Sequence, residues 1–246
     1  MIFYYVRHGD PIYNPDTLTS LGKRQAEALG HRFAQHGLDR IFSSPSTRAM
    51  QTSEPTCEML KKEKTILDWC DEGLAWEQLT VEKKEENRKT WCYHHKPTRE
   101  LFALAEIRNL GNEFYKHKAF DDKTVYGKTK FKDGLERIQK EADAFFETLG
   151  YRHDHERGGY VAENPSNERV ALFAHQGFGL AFLSCVLDIP YPSVCTRFDF
   201  GHSGVTVIEF SAEKGDLCIP TVLQWSNDSH LYKDGLGTSY HNRMYI

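Results

Sequence analysis

The sequence has no apolar run approaching the roughly 18 residues that a membrane-crossing helix needs. It has no CxxC pair either. The six cysteines, Cys57, Cys70, Cys92, Cys185, Cys195 and Cys218, stand far apart, a spacing that argues against both a zinc ribbon and a disulfide framework. Only five apolar residues separate Met1 from Arg7, which is not a signal-peptide pattern. The expectation is therefore a cytoplasmic protein with reduced thiols. There is no excess of positive charge: 31 Lys and Arg face 35 Asp and Glu, for a formal net charge of −4. That balance argues against general nucleic-acid binding, which wants a basic field. GxGxxG and HExxH are both missing. Gly127-Lys128-Thr129 imitates the end of a phosphate-binding P-loop, but Asp122 stands where its first glycine belongs. Gly201-His202-Ser203-Gly204 runs into Val205, so it is not a serine nucleophile elbow. Repeats and low-complexity tracts are also absent.

What remains is an ordinary globular composition, 39% hydrophobic and 27% charged over 246 residues, long enough for one domain with an insertion. Ile2 to Val6 is a short apolar and aromatic run that ends abruptly in Arg7-His8-Gly9, the pattern of a buried strand. A helix is expected over LTSLGKRQAEALGHRFAQHG, with Thr19 or Ser20 as N-cap and Gly37 past its end. RIFSSP and KTILDWC read as further short strands, and TRAMQTSEPTCEMLKK as a helix that Pro55 should bend or break. From about 80 to 167 the chain is charged and helical in period, with no strong strand, and reads as a helical insertion or cap closed by a loop, YRHDHERGGYVAENPSN. ALFAHQGFGLAFLSCVLDIP is then strand, turn and helix, and GVTVIEF with LCIPTVLQWS supplies a terminal pair of strands. Strands alternating with helices predict a three-layer α/β/α sandwich on a mostly parallel central sheet.

Four of these strands end in a chemically useful residue. The first delivers Arg7 and His8, RIFSSPSTR delivers Arg48, TILDWCDE delivers Glu72, and VALFAH delivers His175. Ends of parallel strands share one sheet edge, where open α/β folds bind their ligands. Two arginines offer forked donors to phosphoryl oxygens. A neutral imidazole is a nucleophile, a second donates to developing charge, and a carboxyl protonates a leaving oxygen. Arginines beside His8 would hold it neutral, and they supply the positive charge that a metal supplies elsewhere, so no metal or other cofactor is expected. His94-His95 and His153-Asp154-His155 suggest metal ligands at first sight, but in charged segments they read as solvated histidines.

With these motifs in order, the sequence resembles the histidine phosphatase superfamily, the phosphoglycerate mutase-like proteins. RHG at 7 to 9 is similar to its nucleophile motif, LTSLGKRQA to its LTxxGxxQA helix start, SSPSTRAMQT to its SSxxxRAxxT stretch, and AHQG to its second-histidine turn. The resemblance implies one phosphoglycerate mutase-like domain over 1–246. It implies a phosphohistidine intermediate at His8, with Arg7, Arg48 and His175 around the phosphate. Glu72, or alternatively Glu77, would be the proton donor. Asn14, Gln176 and His202 would be substrate-proximal, although Gln176 replaces a common glycine. The implied partner is a small phosphorylated molecule, hydrolysed as a phosphomonoester. A phosphomutase is the alternative; the family's mutases carry an extra stretch before the LTxxG segment that this chain lacks. A catalytically silent binding protein on the same fold is a second alternative, and the oligomeric state stays open.

Overall fold

A computed structural model describes residues 1–83, 86–240 and 244–245. The chain begins with β1 (Ile2–Arg7), a hairpin of β2 (Pro11–Tyr13) and β3 (Asp16–Leu18), α1 (Ser20–Ala34), β4 (Arg40–Ser43), α2 (Thr47–Leu60) and β5 (Lys64–Ile66). It continues through α3 (Glu72–Leu79), a hairpin of β6 (Thr80–Lys83) and β7 (Arg88–Trp91), α4 (Lys96–Ala103), α5 (Ala105–Arg108), α6 (Lys123–Tyr126) and α7 (Phe131–Thr148). A hairpin of β8 (Tyr151–Asp154) and β9 (Gly159–Ala162) leads to β10 (Arg169–Ala174), α8 (Gln176–Val186) and α9 (Tyr191–Arg197). The chain closes with β11 (Val205–Glu209), β12 (Leu217–Cys218), β13 (Thr221–Asn227), α10 (Ser229–Lys233), β14 (Ser239–Tyr240) and β15 (Met244–Tyr245).

The central sheet has the order β13-β11-β1-β10-β4-β5. β1, β10, β4 and β5 pair in parallel, while β11 runs antiparallel to both its neighbours. Alternation along β1 and β10 explains why the strands are apolar throughout. Phe3, Tyr5, Val170 and Leu172 enter one core, and Val6, Ala171 and Phe173 the other. A strand in the middle of a covered sheet has no solvent face. On the second side lie Leu29 and Phe33 of α1 and Cys57 of α2. On the first lie α7 and α8, with Leu135, Ile138, Ala142 and Phe146 at helical spacing along α7. The result is a three-layer α/β/α sandwich on a mostly parallel sheet.

Four local expectations change. The segment from 80 to 167 is not purely helical, because it holds the β6–β7 and β8–β9 hairpins. The latter occupies the supposed loop YRHDHERGGYVAENPSN; Gly158, at φ +67, makes its turn possible. LCIPTVLQWS is divided between two sheets: Leu217–Cys218 pairs with β9, and only Thr221–Asn227 pairs with β11. Finally, α2 continues through Pro55 to Leu60. Pro55 packs against Gly30 of α1, where an added Cβ would come within 3.2 Å of the Pro55 Cβ, and this close helix contact offsets the missing backbone hydrogen bond.

Candidate active site

The turn after β1 is fixed by backbone crowding. Gly9 lies against Gly22 of α1 so closely that a Cβ on Gly22 would sit 2.2 Å from the Asp10 carbonyl oxygen. The LTSLGKRQA segment builds that contact from several sides. The Thr19 hydroxyl accepts from the Gly22 N–H at 3.0 Å and donates to Asp10 Oδ2 at 2.7 Å, while Gln25 Oε1 accepts from the Asp10 N–H at 2.7 Å. Thr52 of α2 accepts from the Gly9 N–H at 2.9 Å. His8 is thereby clamped between the sheet and both helices of one layer.

The strand ends converge as the topology requires. The ring centroids of His8 and His175 are 5.3 Å apart, and those of His8 and His202 are 6.0 Å apart. His202 arrives because β11 runs backwards, bringing its leading turn to the edge where β1 and β10 end. Its Nδ1 lies 3.3 Å from Asp10 Oδ1. Tyr5 holds the second histidine in place by its backbone: the Tyr5 hydroxyl donates to the His175 carbonyl at 2.6 Å and accepts from its N–H at 3.2 Å.

Arg48 is gripped by two carboxylates, Asp16 Oδ1 at 2.6 Å and Glu72 Oε2 at 3.0 Å. Arg7 donates to the Phe200 carbonyl at 2.5 Å. The Nε groups of Arg7 and Arg48 are both buried without an acceptor among the described residues, and an oxygen-rich anion is the ligand that supplies acceptors to such donors. Glu72 opens α3. Its Oε1 accepts from the Gly177 N–H at 2.9 Å, and its Oε2 lies 3.6 Å from His175 Nδ1. Glu77, five residues on, is exposed, so of the two candidate carboxylates only Glu72 joins the cluster.

His8 Nδ1 lies 2.7 Å from the Gly9 carbonyl oxygen. A carbonyl only accepts, so Nδ1 carries the proton and the lone pair of the neutral ring is on Nε2. Burial holds His8 well below the ordinary imidazole range, with Arg7, His175 and Arg48 adding to the effect. Burial is the leading cause and the arginines come second. His175 is lowered in the same way, by burial first and then by Arg48.

Residues 3–118 match the model of the histidine phosphatase superfamily (branch 1). Over this span, just under half of the chain, the sequence is similar to that superfamily. No curated protein sequence matches the chain significantly. Among solved structures, a phosphoserine phosphatase from Entamoeba histolytica in complex with phosphoserine is similar at TM-score 0.57 and 15% identity, over 94% of this chain and 98% of that one. A mycobacterial glucosyl-3-phosphoglycerate phosphatase aligns at TM-score 0.56 and 16% identity, over 92% and 98%. The α-ribazole phosphatase of Shigella flexneri aligns at TM-score 0.57 and 16% identity, over 93% and 97%. At these identities the likeness is one of fold. Within the histidine phosphatase match lie Arg7, His8, Asn14, Arg48 and Glu72, whereas His175, Gln176 and His202 lie beyond it and join through the sheet.

The remaining sequence candidates sit at the periphery. Asn14 is exposed at the tip of the β2–β3 hairpin; that hairpin reaches Arg48 through Asp16 and through the Tyr13 ring, 5.5 Å from the guanidinium carbon. Gln176 donates from Nε2 to Asp199 and lines a cavity of about 550 Å³ beside the site. Asp16, Tyr5 and Ser44, whose hydroxyl lies 2.7 Å from His175 Nε2, carry no local sequence signal apart from the serine in SSPSTR. Among the described residues, two groups place ligand atoms within 4.8 Å of one another, as a cation would need: His8, Glu72 and His175, and Asp143, His153 and His155. The first lies beside two arginines whose charges oppose a cation. The second departs from the expectation of solvated histidines. The His153 side chain is 1% exposed, with Nδ1 2.7 Å from Asp143 and Nε2 2.9 Å from Asp188.

Proposed function

We propose that this protein is a metal-independent phosphomonoesterase that works through a phosphohistidine at His8. The observation that carries the reading is the His8 ring, buried, neutral and locked by the Gly9 carbonyl in the tautomer that leaves Nε2 free to attack. Nε2 forms a bond to phosphorus as the ester P–O bond breaks, and the departing oxygen takes a proton from the Glu72 carboxyl. Arg7, Arg48 and His175 hold the equatorial oxygens through the transfer. A phosphate that takes the Arg48 donors also frees Glu72 from its ion pair. Water then gives a proton to the Glu72 carboxylate and attacks phosphorus. The P–N bond breaks, leaving inorganic phosphate and neutral His8.

In this reading His202 and Asp10 back the His8 ring, Gln176 borders the substrate cavity, and residues 80–167 act as the cap of one domain spanning 1–246. The phosphatase neighbours support hydrolysis over mutase activity. The test is single-turnover release of phosphate from p-nitrophenyl phosphate in EDTA. Wild type is expected to release phosphate and to form an acid-labile phosphorylated enzyme, and His8→Ala to lose about three orders of magnitude or more. Activity retained by His8→Ala overturns the mechanism.

A further inference from the structure

The cavity beside the site has a charge opposite to that of the protein as a whole. The chain is net negative at −4, yet six cationic side chains line this one cavity: Arg7, Lys83, Arg88, Lys89, Lys96 and Arg99. No carboxylate lines it among the described residues. Only Arg7 belongs to the phosphate cluster. The others come from the β6–β7 hairpin and the first turn of α4, two elements that the chain places next to each other at the mouth.

Their existing partners leave most of that charge available. Lys83 and Arg88 share one partly exposed carboxylate, Glu86, so two cations face one anion. Lys96 pairs with Glu100 only at 3.8 Å, with both side chains largely exposed, a contact of little energetic weight. Arg99 donates to a neutral acceptor, the Thr196 carbonyl, at 2.9 Å. Lys89 has no ion-pair partner among the described residues. Like charges gathered in a concave, partly desolvated space repel one another, and a cluster of this kind focuses a positive potential on whatever enters. The shape fits a small molecule: about 550 Å³ is within the range of metabolite pockets. Trp76, Trp91 and Tyr93 form its apolar wall, with Trp76 and Trp91 edge-to-face at 5.1 Å and Trp91 stacked on Tyr93 at 5.7 Å.

A single phosphoryl group is already provided for by Arg7, Arg48 and His175. The additional cations have no task in holding a monoanionic or neutral alcohol. We propose that the substrate is a phosphomonoester bearing at least one further anionic group, a second phosphate or equivalent, which the β6–β7 hairpin and α4 hold while the first phosphate sits at His8. The inference rests on the phosphatase reading above and adds the chemical class of the ester.

A matched pair of probes tests it: n-propyl phosphate and 1,3-propanediol bisphosphate, which differ only in the second phosphate. The expected result is a kcat/KM for the bisphosphate at least about tenfold higher at low salt, falling towards the monophosphate value as salt rises. The double variant Lys89→Glu/Lys96→Glu is expected to cut that ratio to about two or less, and Lys89→Arg/Lys96→Arg to keep it. A wild-type ratio near one, or a ratio that the charge reversal leaves unchanged, overturns the inference while hydrolysis through His8 stands. If neither ester is hydrolysed, the phosphatase reading fails instead. Calorimetry with pyrophosphate against orthophosphate then decides the cavity: the preference for pyrophosphate must collapse in the double variant, and equal preference in both proteins overturns it.

Discussion

At the C-terminal edge of the sheet, His8 and His175 are buried beside Arg7 and Arg48. Next to α7 and β8, His153 is buried beside Asp143 and Asp188. Residue type and burial are alike, but the protons go opposite ways. The first two imidazoles are held neutral well below their ordinary range by burial and cationic neighbours. For His153 burial also acts downward, yet hydrogen bonds and charges from two carboxylates overcome it and raise the group to about 9. Burial alone therefore does not set what a histidine does; the sign of the charge within hydrogen-bond reach does. The arginine-flanked pair keeps a lone pair for chemistry, while the aspartate-flanked histidine is a cation that ties α7, β8 and the turn after α8 together.

After the loss of His8 itself, the largest effect should come from removing the one carboxylate of the arginine-flanked cluster that reaches His175. Glu72→Gln keeps the shape and removes the carboxyl that the proposed mechanism uses as proton donor, so kcat on an alkyl phosphate should fall about 10²–10³-fold with KM changed far less. A rise in KM with kcat unchanged would make Glu72 a binding group rather than an acid. Next in size is stability at the other cluster. Because the folded state raises the His153 proton affinity above its unfolded value, its contribution is full below about pH 6.5 and is lost as pH rises through about 9. His153→Gln should cost about 2–3 kcal/mol in urea unfolding at pH 6 and much less at pH 10; a gap of the same size at both pH values would attribute the cost to packing. His8 and His175 act with the opposite sign. The unfolded chain gains protons there below about pH 6.5 and the folded chain does not, so these two groups destabilise the fold as pH falls.

The smallest effect concerns Asp16, which holds Arg48 in an ion pair and, in the proposed reading, competes with phosphate for it. Asp16→Asn should tighten inhibition by inorganic phosphate about three- to tenfold. Weaker inhibition would mean that Asp16 orients Arg48 rather than occupying it.

Arg7, His8 and Arg48 were legible because each follows an apolar strand or sits in a motif whose local contacts hold it. Thr19, Gly22 and Gln25 of LTSLGKRQA contact the turn after β1, so sequence pattern and structure report the same packing. Asp16 was not legible, since nothing in a three-residue strand says that its carboxylate reaches Arg48 across the hairpin. The His153 cluster was read as solvated because its neighbours Asp143 and Asp188 lie 10 and 35 residues away. The two hairpins within 80–167 were hidden for a related reason. Arg88–Trp91 has no fully buried face, and Tyr151–Asp154 buries Tyr151 and His153 on one side but is only four residues long with a polar residue on that side, so neither shows an apolar period of two.

By itself the sequence determined the α/β/α class and the residues at the strand ends, because local periodicity and glycine-bounded turns are properties of neighbouring residues. Tertiary structure decided which of these residues share a proton or a charge. Glu72 rather than Glu77 reaches His175, His202 stands behind His8 because β11 runs antiparallel, and six cations of a net-negative chain gather at one cavity. Electrostatic interaction depends on distance through space and on burial, and neither is written in the spacing along the chain.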